Sequence, residues 1–312
     1  MTKKFPTVSV IIPTYNRAHL VGRAIKSVLD QTYQDFELIV IDDASTDNTE
    51  EVVKSFNDER IKYLKHDENK GGAAARNTGI KVARGEYIAF QDSDDEWFSQ
   101  KLEKQMKVFE AASPEVGVVY TGFWRIESNK KIYIPSEKVA RKEGNIHAEL
   151  LRGNFVDTPT AVVKKDCFAK VGIFDERLPR LQDWELFIRI SKDYHFKCVD
   201  EPLLISYYQP HSISADQSAL IRALKLILEK HFEDFKKDKR VLASFFANSG
   251  DLLCSGGEFR QGRSYLIKAV KAYPLNIKYL GAALASLLGQ RVYNRAATSY
   301  RKIRDWFFKA ED

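Results

Sequence analysis

The stretch YIAFQDSDDEW, Tyr87–Trp97, sets four acidic residues within five positions directly behind an apolar run. A short apolar run that ends in polar residues reads as a buried strand whose carboxyl end opens into a loop. In extended chain, residues i and i+2 point the same way, so Asp92 and Asp94 project together. Carboxylates gathered in this way suit a hard divalent cation, and a cation held by only one or two of them keeps positions free for phosphate oxygens. Short acidic clusters also cap helices, here a helix expected over Ser99 to Ala111, so the surroundings have to decide.

Working outward, strand-like and helix-like segments alternate. Val8 to Ile12 is a β-branched run closed by Pro13, and Ala18 to Leu29 repeats apolar residues at helical spacing (Leu20, Val21, Ala24, Ile25, Val28). Phe36 to Ile41 is a second apolar run, Asp47 to Phe56 reads as a helix capped by Ser45 or Asp47, and Ile61 to Leu64 is strand-like. GGAAARNTGIKVARG then reads as a helix entered through glycines, leading into Tyr87 to Phe90. This βαβα order implies a mainly parallel sheet with helices on both faces. Ligands of such sheets bind outside the carboxyl ends of the strands. PTYNR, DDAST and QDSDD lie there, so three strand ends converge on one crevice.

The 312 residues, 44% hydrophobic, suffice for a sizeable core and exceed one typical domain. Three widely spaced cysteines, Cys167, Cys198 and Cys254, fit neither a disulfide framework nor a zinc site, which points to a reducing compartment. The amino terminus has no apolar signal core, and the run Tyr279 to Leu288 is well short of the roughly 20 residues that span a bilayer. The expected location is cytoplasmic, at most peripheral on the inner face of a membrane. Charge is uneven: residues 215–312 hold 18 Lys or Arg against 10 Asp or Glu, whereas the whole chain is +6. The basicity belongs to the tail, yet neither zinc spacing nor a recognition-helix or RNA-binding signature accompanies it, so nucleic acid is not an expected partner.

VSVIIPTYNR, SVLDQTYQDFELIVIDDASTDNT, GGAAARNTGI and GEYIAFQDSDDEW, in this order, resemble the family-two glycosyltransferases of the GT-A fold. The likeness continues through VGIFDERLPRLQDWELFIRI to SYYQPHSIS and so covers about residues 5 to 214. The resemblance implies a catalytic domain over 1–214 that uses a nucleoside-diphosphate sugar, most often a UDP-sugar, together with Mn²⁺ or Mg²⁺. It implies that Pro13, Thr14, Tyr15 and Arg17 receive the nucleotide base, with Tyr15 packing on it. Asp43 would hydrogen-bond the base, and Arg76 would help hold the nucleotide. In the DxD motif Asp92 and Ser93 would face the donor, and Asp94 would bind the metal on the diphosphate. His211 stands where relatives often carry a histidine near that metal. Asp183, in QDWE, would be the catalytic base.

Elementary chemistry makes these roles reasonable. Breaking a sugar–diphosphate bond builds charge on the leaving phosphate, which a bound cation stabilises. A carboxylate near the acceptor hydroxyl takes its proton as the new bond forms. With the two sites flanking the anomeric carbon, displacement is direct and the configuration inverts. Asp183 poses a difficulty, because a helix start stabilises carboxylate charge and weakens a base, whereas burial beside Trp184 or the acids at 92, 94 and 95 would strengthen it. Asp183 could also simply cap its helix. Trp97 and Trp184 could line a sugar pocket, though such aromatics are usually core. The stretch 153–160 is expected to edge the acceptor side, without one residue standing out.

From residue 215 onward the expectation is an α-helical region. Ala243 to Pro274 resembles one tetratricopeptide-type hairpin, with Gly250, Leu253, Gly257, Phe259, Leu266, Ala269 and Pro274 at the usual offsets and Gly262 where alanine is preferred. The terminal segment interleaves Arg295, Arg301, Lys302, Arg304 and Lys309 with Tyr300, Trp306 and Phe307, which suits an anionic membrane surface or a docked terminal helix. The expected activity is inverting, metal-dependent sugar transfer to a saccharide or lipid-linked acceptor, as in cell-surface polysaccharide synthesis. The alternatives are an inert scaffold whose helical tail binds a partner, and a nucleotidyltransferase; the latter would need a glycine-rich basic loop after the first strand, and PTYNR is not one.

Overall fold

The computed structural model describes residues 5–127, 130–137, 139–207 and 216–295. The chain forms two compact units, Met1–Ser212 and Ile213–Asp312. The first unit is built on one sheet in the order β3 (Ile61–Lys65), β2 (Phe36–Asp42), β1 (Val8–Thr14), β4 (Tyr87–Phe90), β8 (Ala161–Lys164), β6 (Val116–Glu127), β9 (His195–Tyr207) and β5 (Glu96–Trp97), with β7 (Lys130–Ile134) added beside β6. Its amino-terminal half is parallel: β1 lies between β2 and β4, and β2 pairs with β3. All seven residues of β1 and of β2 are buried, as strands covered on both faces must be. Helix α1 (Ala18–Leu29) explains half of that cover, since Val21, Ala24, Ile25 and Val28 fall on one face and pack into the core with Val8, Val10 and Ile12.

The other half of the sheet is mixed. β8 runs antiparallel between β4 and β6, while β9 is parallel to β6 and antiparallel to β5. This reversal has a geometric consequence. Ala89 pairs with Val162, so the residues that precede β8 emerge at the carboxyl end of β4. The segment 157–160 is thereby delivered to the rim where the chain leaves β1, β2 and β4. Alignment at that rim is tight, with Thr14 opposite Asp42 and Ile11 opposite Phe90.

Helix α3 (Gly72–Val82) starts after Gly71, whose φ of 89° lies in the left-handed region that favours glycine. The buried Asn77 of α3 fastens the distant segment before α7 (Gln182–Ile190): its Nδ2 donates to the Phe174 carbonyl at 3.0 Å, and its Oδ1 accepts from the Phe174 amide at 2.9 Å. Phe174 also meets Phe90 edge-on, with ring centres 5.4 Å apart. The start of α7 is thus held on the same side of the sheet as the end of β4.

The second unit is helical, with α8 (Gln217–Lys237), α9 (Lys239–Ser255), α10 (Phe259–Ala272) and α11 (Ile277–Leu287). Asp216, Asp238 and Asn276 cap α8, α9 and α11 by accepting first-turn amides. Helices α9 and α10 pack closely against each other, with Gly250 of α9 facing Gly262 and Leu266 of α10. Gly262 departs from the repeat's alanine because a Cβ there would sit 2.4 Å from Cys254 Sγ and 2.7 Å from the Cys254 amide nitrogen. Among the described residues, no helix is long and apolar enough to cross a membrane.

Candidate active site

The loops leaving β1 and β2 are knitted together. Asn16 donates its backbone N–H to Ser45 Oγ at 2.9 Å and accepts the Thr46 amide at 2.8 Å. Asn16 and Ala44 both adopt positive φ, 50° and 67°, a costly conformation that the interlocked loops hold in place. Pro13 and the buried Thr14 end β1, and Tyr15 is left 44% exposed, its ring free of the core. Thr14 Oγ1 is buried without a partner among the described contacts.

Asp43 is nearly fully buried and accepts the amides of Lys70 (2.9 Å) and Gly71 (2.7 Å) and a contact from His66 Nδ1 at 2.7 Å. The other nitrogen of His66 meets Thr78 Oγ1 at 2.9 Å, which ties β3 to α3. A carboxylate has about four acceptor positions. Asp43 therefore shapes the entry to α3 and keeps room for about one more hydrogen bond.

The charged centre gathers residues from four elements. Arg76 of α3 donates to Asp92 Oδ1 at 2.6 Å and to Gln182 Oε1 at 3.3 Å, bridging the end of β4 to the start of α7. Arg17 NH2 stands 3.9 Å from Asp94 Oδ2, and Arg23 NH2 donates to the Asp94 carbonyl. Ser93 is buried between the two acids. Asp183 accepts from Asn154 Nδ2 at 3.0 Å, and Arg125 donates to Asp157 Oδ2 at 2.7 Å. Asp95 and Glu185 are spoken for structurally: Asp95 accepts the Tyr207 amide at 3.3 Å, and Glu185 pairs with Arg189 at 2.9 Å.

The electrostatics show that these acids share one environment. Burial, and then the neighbouring Asp92, push the Asp94 carboxyl above the ordinary range. Burial does the same for Asp183, with Asp92 adding to it, and outweighs the Trp184 amide, Asn154 and Arg76, which all pull the other way. The contest between helix start and burial is therefore won by burial. Asp157 is pushed up to about 6, first by burial and further by Asp183 and Asp92, against Arg125. Asp95 is raised by burial, Asp92 and Asp94.

Residues 92, 94, 157 and 183 thus meet at one rim. Of these, Asp157 did not stand out in the sequence, nor did Asn154, Asn77 or His66; the stretch 153–160 was expected to edge the acceptor side as a whole, without one residue standing out. Trp97 and Trp184 are core residues, with Nε1 donating to the carbonyls of Pro159 (3.1 Å) and Leu150 (2.6 Å). His211 lies outside the described residues. A groove of about 640 Å³ beside α1 and β5, lined by Arg23, Lys26, Trp97 and Phe98 among others, contains none of the four acids. Convergent charge, and not depth, marks the site.

The profile of the family described as "Glycosyl transferase family 2" matches residues 9–172, more than half of the chain. The chain belongs to this family. The glycosyltransferase is 32% identical over 243 residues, 77% of its length, to the Escherichia coli UDP-Glc:alpha-D-GlcNAc-diphosphoundecaprenol beta-1,3-glucosyltransferase WfgD, of which it spans 87%. Among solved structures, Staphylococcus aureus TarS 1-349 in complex with UDP-GlcNAc superposes with a TM-score of 0.70 at 19% identity, covering 95% of this chain and 91% of that one. The mannosyltransferase PcManGT of Pyrobaculum calidifontis, in complex with GDP-Man and Mn²⁺, superposes at 0.60 with 20% identity, covering 95% and 87%. The glycosyltransferase therefore has the GT-A fold expected from its sequence, followed by a helical region.

One consequence concerns stability. A carboxyl whose folded-state pKa lies above its unfolded value near 4 binds its proton more tightly in the folded chain. The folded state therefore gains stability as pH falls from above 6 and loses it as pH rises. Asp157→Asn resembles the protonated form. It is expected to stabilise the protein by about 1–2 kcal/mol at pH 7.5, discounted for the 24% exposure of the Asp157 side chain. The gain should shrink towards zero by pH 4. A melting temperature lowered equally at both pH values would show instead that the ion pair with Arg125 dominates.

Proposed function

We propose that this glycosyltransferase moves a sugar from a nucleoside-diphosphate sugar to a hydroxyl of a saccharide or lipid-linked acceptor, with inversion at the anomeric carbon. The observation that carries this reading is the Arg76 bridge, which sets Asp92 beside Gln182, the residue preceding Asp183, although the two are 90 positions apart in sequence. In this reading the loop 13–17 and Asp43 take the base, with Tyr15 offering its exposed ring for stacking. Arg76, Asp92 and Ser93 position the ribose and diphosphate, and Arg17 adds charge complementary to phosphate.

The chemistry of the rim fits a divalent cation. Asp94 is an oxygen donor whose charge is disfavoured by burial and by Asp92, so a cation beside it relieves that cost. Among the described residues, no group of three or more His, Cys, Asp or Glu is disposed to hold a metal, so most ligands would come from phosphate and water, a pattern typical of Mg²⁺. When bound by Asp94, Mn²⁺ or Mg²⁺ supplies Lewis-acid stabilisation of the leaving diphosphate. Asp183, raised above the ordinary carboxylate range, receives the proton of the acceptor hydroxyl, and Asn154 holds one of its oxygens so that the other faces the acceptor. Asp157, with Arg125, edges the acceptor side.

A UDP-sugar is the proposed donor and a diphosphate-lipid-linked saccharide the proposed acceptor, because the E. coli relative is named for both. The proposed setting is the cytoplasmic face of a membrane. Incubation with a panel of UDP- and GDP-sugars and Mn²⁺, scored by release of nucleoside diphosphate, tests the reading. Turnover of at least one donor is expected. Neither turnover nor nucleotide binding with any donor would leave the inert scaffold as the better account.

A further inference from the structure

Helix α11 is built the wrong way round for a helix that packs by its apolar face in water. Its buried positions are small, Ala283 and Ser286, whereas Ile277, Leu280, Leu284 and Leu287 are 83%, 43%, 52% and 57% exposed. The spacing of three, four and three puts these four on one helical stripe, and Leu288, 71% exposed, extends it. Leu275, just ahead of the helix, is 86% exposed. The opposite face is already used, since Ala283 packs with Cys254, Leu266 and Tyr293. The stripe is therefore a surplus apolar face and no part of that packed core.

Its charge setting says what covers it. Between Glu258 and Asp305 the sequence has ten Lys or Arg and no Asp or Glu. A second copy of this face would bring like charge against like charge. A protein partner that recognises an apolar helix does so with a groove, whereas a lone convex stripe of leucines within a basic, acid-free stretch of sequence suits a helix lying in the interface of a bilayer. An anionic headgroup layer complements both the stripe and the acid-free stretch.

We propose that the exposed stripe of α11 docks on an anionic phospholipid surface, with Lys278 and Arg291 among the flanking cations. The surface takes its purpose, though none of its geometry, from the lipid-linked acceptor proposed above: an enzyme resting on the bilayer meets such an acceptor in two dimensions. It is also distinct from the aromatic and basic segment near residue 306, on which membrane contact was expected from sequence alone.

The test is co-sedimentation of the full chain with phosphatidylcholine vesicles, with and without phosphatidylglycerol, at 0.1 M and 0.5 M salt. The wild type is expected to bind the anionic vesicles and to release at high salt. Leu280→Gln with Leu284→Gln should lower binding about tenfold or more, whereas Leu280→Met with Leu284→Met should retain it. Both pairs lie on the surface, so an unchanged melting temperature is expected. Absence of vesicle binding by the wild type, or equal binding by the glutamine pair, overturns the proposal. So does a wild-type dimer that the glutamine pair dissolves without lipid, because the occupant is then a second copy. UDP binding measured without vesicles separates the two readings: its loss would sink the proposed chemistry and leave the docking surface standing.

Discussion

Asp183→Asn is expected to leave nucleotide affinity within about twofold of wild type and to lower kcat by about 10²- to 10⁴-fold, the usual contribution of a positioned general base. The substitution keeps the shape and one acceptor oxygen and removes the group that takes the proton. Asn154, which donates to Asp183 Oδ2 at 3.0 Å, keeps an acceptor opposite it if the amide oxygen occupies that place, so the start of α7 need not move. The pH profile gives a second readout. A base works only when deprotonated, and burial raises the Asp183 carboxyl. The wild-type rate should therefore fall on acidification at a pH above that of an ordinary aspartate, and the residual activity of the variant should lack that limb. Unaltered kcat would remove Asp183 from the role of base; lost nucleotide binding would make it a structural residue of the rim.

Asp94→Ala carries the second large effect. Any gain in nucleotide affinity that Mn²⁺ gives the wild type should disappear, and kcat/KM should fall by several kcal/mol in barrier terms, about 10²- to 10⁴-fold. Unfolding is not the expected cause. Asp94 is one of the like charges that raise Asp95, so removing it relieves crowding around the buried rim. The thermal midpoint without ligand should stay level or rise. A variant that still responds to Mn²⁺ as the wild type does would move the cation to other ligands, with Asp92 the next to test.

The parts of this molecule that were legible in the sequence share a physical cause. β1 and β2 are covered on both faces, so their composition is forced towards long β-branched runs, and α1 has one face to bury, so its apolar residues keep helical spacing. The acids at 92 and 94 were legible because a strand end followed by clustered charge is costly unless used. What escaped depends on tertiary contact. The antiparallel insertion of β8 brings Asp157 beside Asp92, yet 157–160 carries no periodic signal. Asn77 and His66 read as ordinary polar residues until their distant partners, Phe174 and Asp43, are in place. Gly262 read as a departure from a repeat and is a close approach to Cys254.

Titration calorimetry of UDP into the full chain, with and without Mn²⁺, bears most directly on the claim that one rim of acids and arginines holds a cation together with a nucleoside diphosphate. Saturable binding at one site, at least about tenfold tighter with Mn²⁺ and dependent on Arg76, is the result this account requires. Failure of UDP and GDP alike to bind in the presence of Mn²⁺ would contradict it.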